Sequence, residues 1–158
     1  MFEKLFNIDK TKYASNLNGD HLRQNIEAVF GQSGLSFVGK FTAENEFAAY
    51  DKWTYITWNV PNFKRKTAYL KGELRTSEKG TLVTLDLKPN PVISVFPILT
   101  VLLGVITIIV AQSTHQNKST LIFGIISVAV GVLFYLLGMF FKNRLRNNFK
   151  KSLDLRQL

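Results

Sequence analysis

Hydrophobic positions change rhythm twice along this chain. Leu22, Ile26, Val29 and Phe30 recur at helical spacing, which predicts a helix that lays its apolar stripe on a sheet. Asp20 is the expected N-cap, and Gly31 or Gly34 the expected stop. The period then shortens to that of strands. Ser36–Thr42 is short and β-prone, Phe47–Val60 is dense in Tyr, Trp, Thr, Ile and Val, and the stretch from Pro61 to Lys66 breaks the pattern. Thr67–Thr76 and Thr81–Lys88 read as a hairpin around Ser77-Glu78-Lys79-Gly80, a four-residue type I turn closed by a glycine in the left-handed region. In its second strand Val83, Leu85 and Leu87 share one face. Residues 1–19 are weakly patterned; Phe2, Leu5, Phe6 and Ile8 suit one amphipathic turn. Residues 1–90 are therefore expected to form an α+β head, an N-terminal helix packed on an antiparallel sheet of about four strands.

The second change is abrupt. Val92–Ala111 and Leu121–Phe141 are uninterrupted apolar runs without a charged residue. Each is close to the roughly 20 residues a helix needs to cross a hydrocarbon core of about 30 Å, and a helix satisfies its own backbone polar groups without water. A transmembrane hairpin is expected over residues 91–141, with helices at about 91–111 and 121–141 and a loop at Gln112–Thr120. Asn90 can cap the first helix, and Pro91 suits its first turn, where a missing N–H is harmless. Pro97 lies close enough to the start to be tolerated. The short linker predicts a head held against the bilayer.

Small residues mark one face of each run. They are Pro97, Thr100, Gly104, Thr107 and Ala111 on the first, and Gly124, Ser127, Gly131 and Gly138 on the second, with Phe134 at the remaining place. In lipid, helices associate through close packing of small surfaces, because the tails compete equally for apolar side chains. Pairing Ala111 with Gly124, Thr107 with Ser127, Gly104 with Gly131, Thr100 with Phe134 and Pro97 with Gly138 keeps the summed residue numbers at 234 or 235, as an antiparallel seam requires. Such a seam within one chain is the expectation; a seam between chains is the alternative. Neither run carries an Asp, Glu, Lys, Arg or His, which argues against an ion or proton path.

Residues 142–158 form a basic amphipathic tail. Leu145, Phe149 and Leu153 make a helical stripe flanked by Lys142, Arg144, Arg146, Lys150 and Lys151. The stripe can lie at the headgroup boundary, pack under the head, or pair with a second copy, and the five cations are candidate contacts for anionic lipid headgroups. Of the formal net charge of +9, most of the excess sits in this tail. With one lysine, Lys118, in the loop and many cations on both outer flanks, the positive-inside rule puts head and tail in the cytoplasm. The chain is expected to be integral to the cell (inner) membrane, with two passes and no secretory leader. Its basic residues lack the aromatic weave of a nucleic-acid surface, so no nucleic-acid partner is expected.

Chemistry is sparse. The chain has no cysteine and two histidines. His21 opens the head helix and His115 lies in a loop without a carboxylate, so neither metal ligation nor acid–base work finds partners. Gly31-Gln32-Ser33-Gly34 is too short for a phosphate loop and follows a helix instead of opening one. Glu44, Glu46 and Asp51 are expected to be solvated. Trp53, Tyr55 and Trp58 are the candidate ligand or partner face, the alternative being that these rings fill the core. Lys64-Arg65-Lys66 suits a membrane-surface contact. No catalytic residue, cofactor or metal is expected.

Phe37-Val38-Gly39, Pro61, Gly72 and Gly80-Thr81 resemble a group of small bacterial membrane proteins with an α+β head and a C-terminal pair of membrane helices. The resemblance covers about residues 37–81 and implies this architecture, with no activity and no site residues. The function expected is that of a non-enzymatic, membrane-anchored binding or sensing module, with the bilayer, anionic headgroups and a protein or second copy as partners. The alternative is a membrane-active effector or a subunit of an oligomeric membrane assembly. A lipid-handling enzyme using head carboxylates lacks a nucleophile–base constellation.

Overall fold

Alternation and helical periodicity translate into a sheet covered on one face. The structure, a computed structural model, describes residues 8–52, 66–77, 80–113 and 118–157. Its elements in chain order are β1 (Asp9–Ser15), α1 (Gly19–Gly31), β2 (Phe37–Ala43), β3 (Glu46–Asp51), β4 (Ala68–Ser77), β5 (Gly80–Pro89), α2 (Pro91–Ser113), α3 (Lys118–Ser152) and β6 (Arg156–Gln157). The fold is α+β, as expected. The chain divides into two compact units, Met1–Asn90 with Phe141–Leu158, and Pro91–Phe140.

In the first unit the strands form one antiparallel sheet in the order β2-β3-β4-β5-β1-β6. Four strands were legible; β1 and the two-residue β6 were not. Val83, Leu85 and Leu87 of β5 are fully buried, and so are Leu22 and Ile26 of α1, as their spacing predicts. The helix start differs from expectation. Asn18, not Asp20, is the N-cap: its backbone is extended, its side-chain oxygen accepts from the Gly19 N–H at 2.6 Å, and its carbonyl accepts from the Leu22 N–H at 2.9 Å. Asp20 instead falls in the first turn, where a carboxylate favours the helix dipole.

The hairpin of β4 and β5 is tighter than expected, with pairing that continues to Ser77 opposite Gly80. Residues 78 and 79, and with them the turn type, lie outside the described residues. Gly80 has φ +123°, and a Cβ there would meet the Ser15 carbonyl of neighbouring β1, so both conformation and space demand glycine.

The apolar stripe of the tail has one destination among the three left open. Leu145, Phe149 and Leu153 belong to the core of the head. Phe149 stacks on Phe47 with ring centroids 5.3 Å apart and meets Phe37 at 5.8 Å and Phe30 at 6.3 Å. The Phe47 ring lies on Gly72, its cross-strand neighbour, and the Phe30 ring lies on Gly39; a Cβ at either glycine would collide with the ring. The described core is thus a phenylalanine cluster notched into the sheet. Trp53, Tyr55 and Trp58, the expected alternatives for that core, lie outside the described residues.

In the second unit α2 runs unbroken through Pro97. Of the residues expected at the seam, Phe134 is exposed. Pro97, Gly104, Ala111, Gly124, Ser127, Gly131 and Gly138 are buried, and Thr100 and Thr107 half-buried. Their pairing differs by about one turn. A Cβ on Gly104 would press on Val128, one on Gly124 on Ile108, one on Gly131 on Val101 and one on Gly138 on Ile93, at 2.6 to 2.8 Å. Those partners' residue numbers add to 231 or 232, matching Ser113 and Lys118, where the two helices end and begin. Each glycine takes a β-branched knob, and Gly104 also meets the backbone of Gly124, not that of Gly131. Backbones also approach: the Gly124 carbonyl lies 2.8 Å from a Cβ built on Gly104, and the Pro97 carbonyl 2.9 Å from one on Gly131. The hydroxyls of Thr100, Thr107, Ser113 and Ser127 donate to carbonyls four residues earlier on their own helices.

Candidate functional site

The basic tail was the part of the head most open to functional reading, and most of its cations turn inward. Arg146 pairs with Asp9 of β1 at 2.7 Å, and Arg144 lies 4.0 Å from Asp51 of β3. Asp51 is 1% exposed, against the solvated position expected for it. The α3 tail covers the β3 end, so a carboxylate on the core face is enclosed with its guanidinium. Lys142 is buried, and burial holds its pKa below the ordinary lysine range; Asp9 opposes that shift and Arg146 adds to it. Asn148 donates to the Ser36 hydroxyl at 2.7 Å. The first three of the five cations are therefore built into the head, while Lys150 is half-buried and Lys151 exposed.

The open face of the sheet carries three ion pairs, while Lys10, Lys12 and Lys40 stand on it exposed. Lys71 pairs with Glu46 at 2.8 Å, Arg75 with Glu73 at 2.8 Å and Lys88 with Asp86 at 3.4 Å. Bonding to Arg75 holds the Glu73 carboxyl below the ordinary glutamate range, and bonding to Glu46 raises Lys71. Near the β3 end the Lys66 ammonium sits 5.2 Å from the Tyr50 ring centre, and its backbone N–H donates to the Tyr69 hydroxyl. Burial raises the Tyr69 phenol. Trp53, Tyr55 and Trp58, with Lys64 and Arg65, lie outside the described residues, so that face has no described geometry.

A cleft of about 350 Å³ opens where the end of β1, the middle of α1, the end of α3 and β6 meet. Leu17 and Asn16 come from the β1–α1 turn, Asn25 from α1, Lys151 from the last turn of α3, Asp154 from the turn that follows, and Arg156 from β6. Its backbone is tied down. The Leu17 N–H donates to the Ser15 hydroxyl at 3.2 Å, and its carbonyl accepts from the Thr81 hydroxyl at 2.8 Å. Helix α3 closes with the Leu155 N–H donating to the Lys150 carbonyl at 3.2 Å and Asp154 at φ +47°, a Schellman-type ending with aspartate in the left-handed position. Arg156 is held opposite Ala14 by β pairing. No periodicity announces this cleft, since its residues are polar and come from opposite ends of the chain. The only cue in the sequence is the tail's charge excess.

Among the described residues no three His, Asp or Glu side chains are grouped to hold a metal ion. His21 is exposed, and His115 lies outside the described residues. Comparison of the chain with family models, with curated proteins and with solved structures gives no match.

Proposed function

We propose that the chain is a two-pass membrane protein of the cell (inner) membrane, a non-enzymatic binding or sensing head anchored by the α2–α3 hairpin. One observation carries the anchor. Among the described residues, every large hydrophobic side chain left exposed lies between Val95 and Phe140, with Leu17 the sole exception. Both helices are long and apolar enough to span a bilayer. An exposed apolar surface of that extent is stable only when something apolar covers it, and lipid covers a belt on all sides.

The orientation rests on two supports. An even number of membrane passes returns the chain to the side it left, and Asn90 and Phe141, which flank the hairpin, belong to the same unit. The cation excess of head and tail supports a cytoplasmic position for them. Binding as the head's task is supported by the tied-down polar cleft. The seam glycines are occupied within the chain, which favours this reading over an assembly whose hairpins associate through them.

The absence of cysteine makes the topology testable. His115→Cys should react with a membrane-impermeant thiol reagent added outside intact cells, and Lys12→Cys only after lysis. Labelling in the reverse order overturns the orientation, and labelling of both in intact cells overturns the anchored head. Crosslinking with mass spectrometry in the native membrane should recover a recurrent partner of the head; capture of lipid alone would narrow the reading to lipid sensing.

A further inference from the structure

We propose that the cleft between β1, α1, the end of α3 and β6 binds a phosphate monoester. The inference deepens the reading of the head as a binding module and rests on it. Lys151 and Arg156 carry the argument. Three other cations of the tail are engaged inside the head, Arg144 and Arg146 beside carboxylates and Lys142 buried near Asp9. Lys151 and Arg156 have no ion-pair partner among the described residues, yet both line one cleft. Asn16 and Asn25 add amide donors to the lining, and neither amide is engaged by a side-chain hydrogen bond among the described residues. The donors thus outnumber the acceptors, which suits a ligand made of acceptor oxygens.

Charge selects among such ligands. A phosphate monoester carries about −1.5 to −2 near neutral pH and is drawn more strongly than a single carboxylate by a lining whose cations, Lys151 and Arg156, exceed its one described carboxylate, Asp154. Asp154, exposed at the rim, lowers the field and disfavours more highly charged polyphosphates. Size agrees: about 350 Å³ lies at the small end of ligand sites. No aromatic ring lines the described walls, so nothing there would stack on a nucleobase. Leu17, among the described residues the one large apolar side chain exposed outside the hairpin, offers contact to a short apolar body beside the phosphate. Because the backbones of Leu17 and Arg156 are fixed, the ordering that binding requires there is confined to side chains. The phosphate can belong to a soluble metabolite or to a lipid monoester headgroup.

The test uses the full chain in non-ionic detergent at low salt, titrated calorimetrically with glycerol 3-phosphate and, separately, with phosphatidic acid in mixed micelles. Saturable binding is expected, weakened by at least about tenfold in a Lys151→Gln, Arg156→Gln double variant. A Lys12→Gln, Lys40→Gln variant removes the same charge from exposed sites elsewhere and should bind within about twofold of the parent. Binding of glycerol 3-phosphate assigns a soluble monoester, and binding of phosphatidic acid alone assigns the headgroup; either carries the proposal. Absence of saturable binding to both, equal loss in both double variants, or a preference for a glutamate-rich peptide over phosphate overturns it. Unchanged cysteine labelling in such a case would leave the anchored head standing.

Discussion

The head and the hairpin both use glycine at their closest contacts, yet for opposite reasons. In the head, Gly39 and Gly72 clear space for phenylalanine rings, and the rings of Phe37, Phe47 and Phe149 are buried among leucines. In the hairpin, Gly104, Gly124, Gly131 and Gly138 let backbone and β-branched side chains close in, while the large residues point outward. Water rewards burial of apolar area, at roughly 25 cal/mol per Å², so the head hides its largest side chains. Lipid gives no such reward, and contact must come from close fit. The contrast is what the anchored reading requires, and each region can be broken by its own kind of substitution.

The largest effect is expected at Phe149. Its ring meets Phe30, Phe37 and Phe47 and is fully buried. Phe149→Ala should cost the head about 3–5 kcal/mol, read as loss of amide hydrogen-exchange protection in β1 and β5. The hairpin should keep its protection, because its seam contains no part of that cluster. Equal loss in both regions would mean that they do not follow separate rules.

The hairpin should answer to bulk instead of cavity. Gly131→Leu meets the Pro97 carbonyl and Val101 and should weaken helix pairing by about 1–3 kcal/mol, the usual range for overpacking. Val132→Leu, on the exposed side, should be silent. Cysteine pairs read the register directly. Val101→Cys with Gly131→Cys should crosslink within one chain, and Gly104→Cys with Gly131→Cys, displaced by about one turn of 5.4 Å, should not. The opposite result would restore the pairing of Gly104 with Gly131.

That register shows where sequence reasoning stopped. The seam residues were legible because small side chains recur on one face, but a tidy series can be aligned a turn away with equal ease. The helix ends at Ser113 and Lys118 decide between alignments, and run lengths gave those ends only to within a few residues. Phe149 was legible as part of a stripe, although an apolar stripe suits lipid and protein equally, so its place in the core was not. Strand β1 was missed because Tyr13 is its only large apolar residue among lysines and hydroxyls; its strand state comes from pairing with β5 and β6. The cleft gathers residues 16–25 and 151–156, and no local pattern signals that meeting.

A smaller effect, of opposite sign, is expected at Thr67. It is fully buried, and its hydroxyl has no hydrogen-bond partner among the described residues. Thr67→Val keeps the shape and removes the unsatisfied group, so the head should gain about 1 kcal/mol. Its backbone carbonyl, which accepts from the Asn90 N–H at 2.9 Å, is untouched. A loss of stability in denaturant titration would show that the hydroxyl is engaged.

The smallest effect lies in the cleft, at Asp154. A left-handed backbone suits glycine better than aspartate, and a carboxylate just past a helix C-terminus opposes the helix dipole. Asp154→Gly should therefore stabilise the head by about 0.5 kcal/mol, after allowing for the extra freedom glycine brings to the unfolded chain. The gain would be confined to the first unit, since the turn packs through Leu155 into its core. The same change removes the one carboxylate from the cleft, so it should tighten glycerol 3-phosphate binding as well. A stabilised variant with weakened phosphate binding would separate the two roles and mark the aspartate as a ligand contact in its own right.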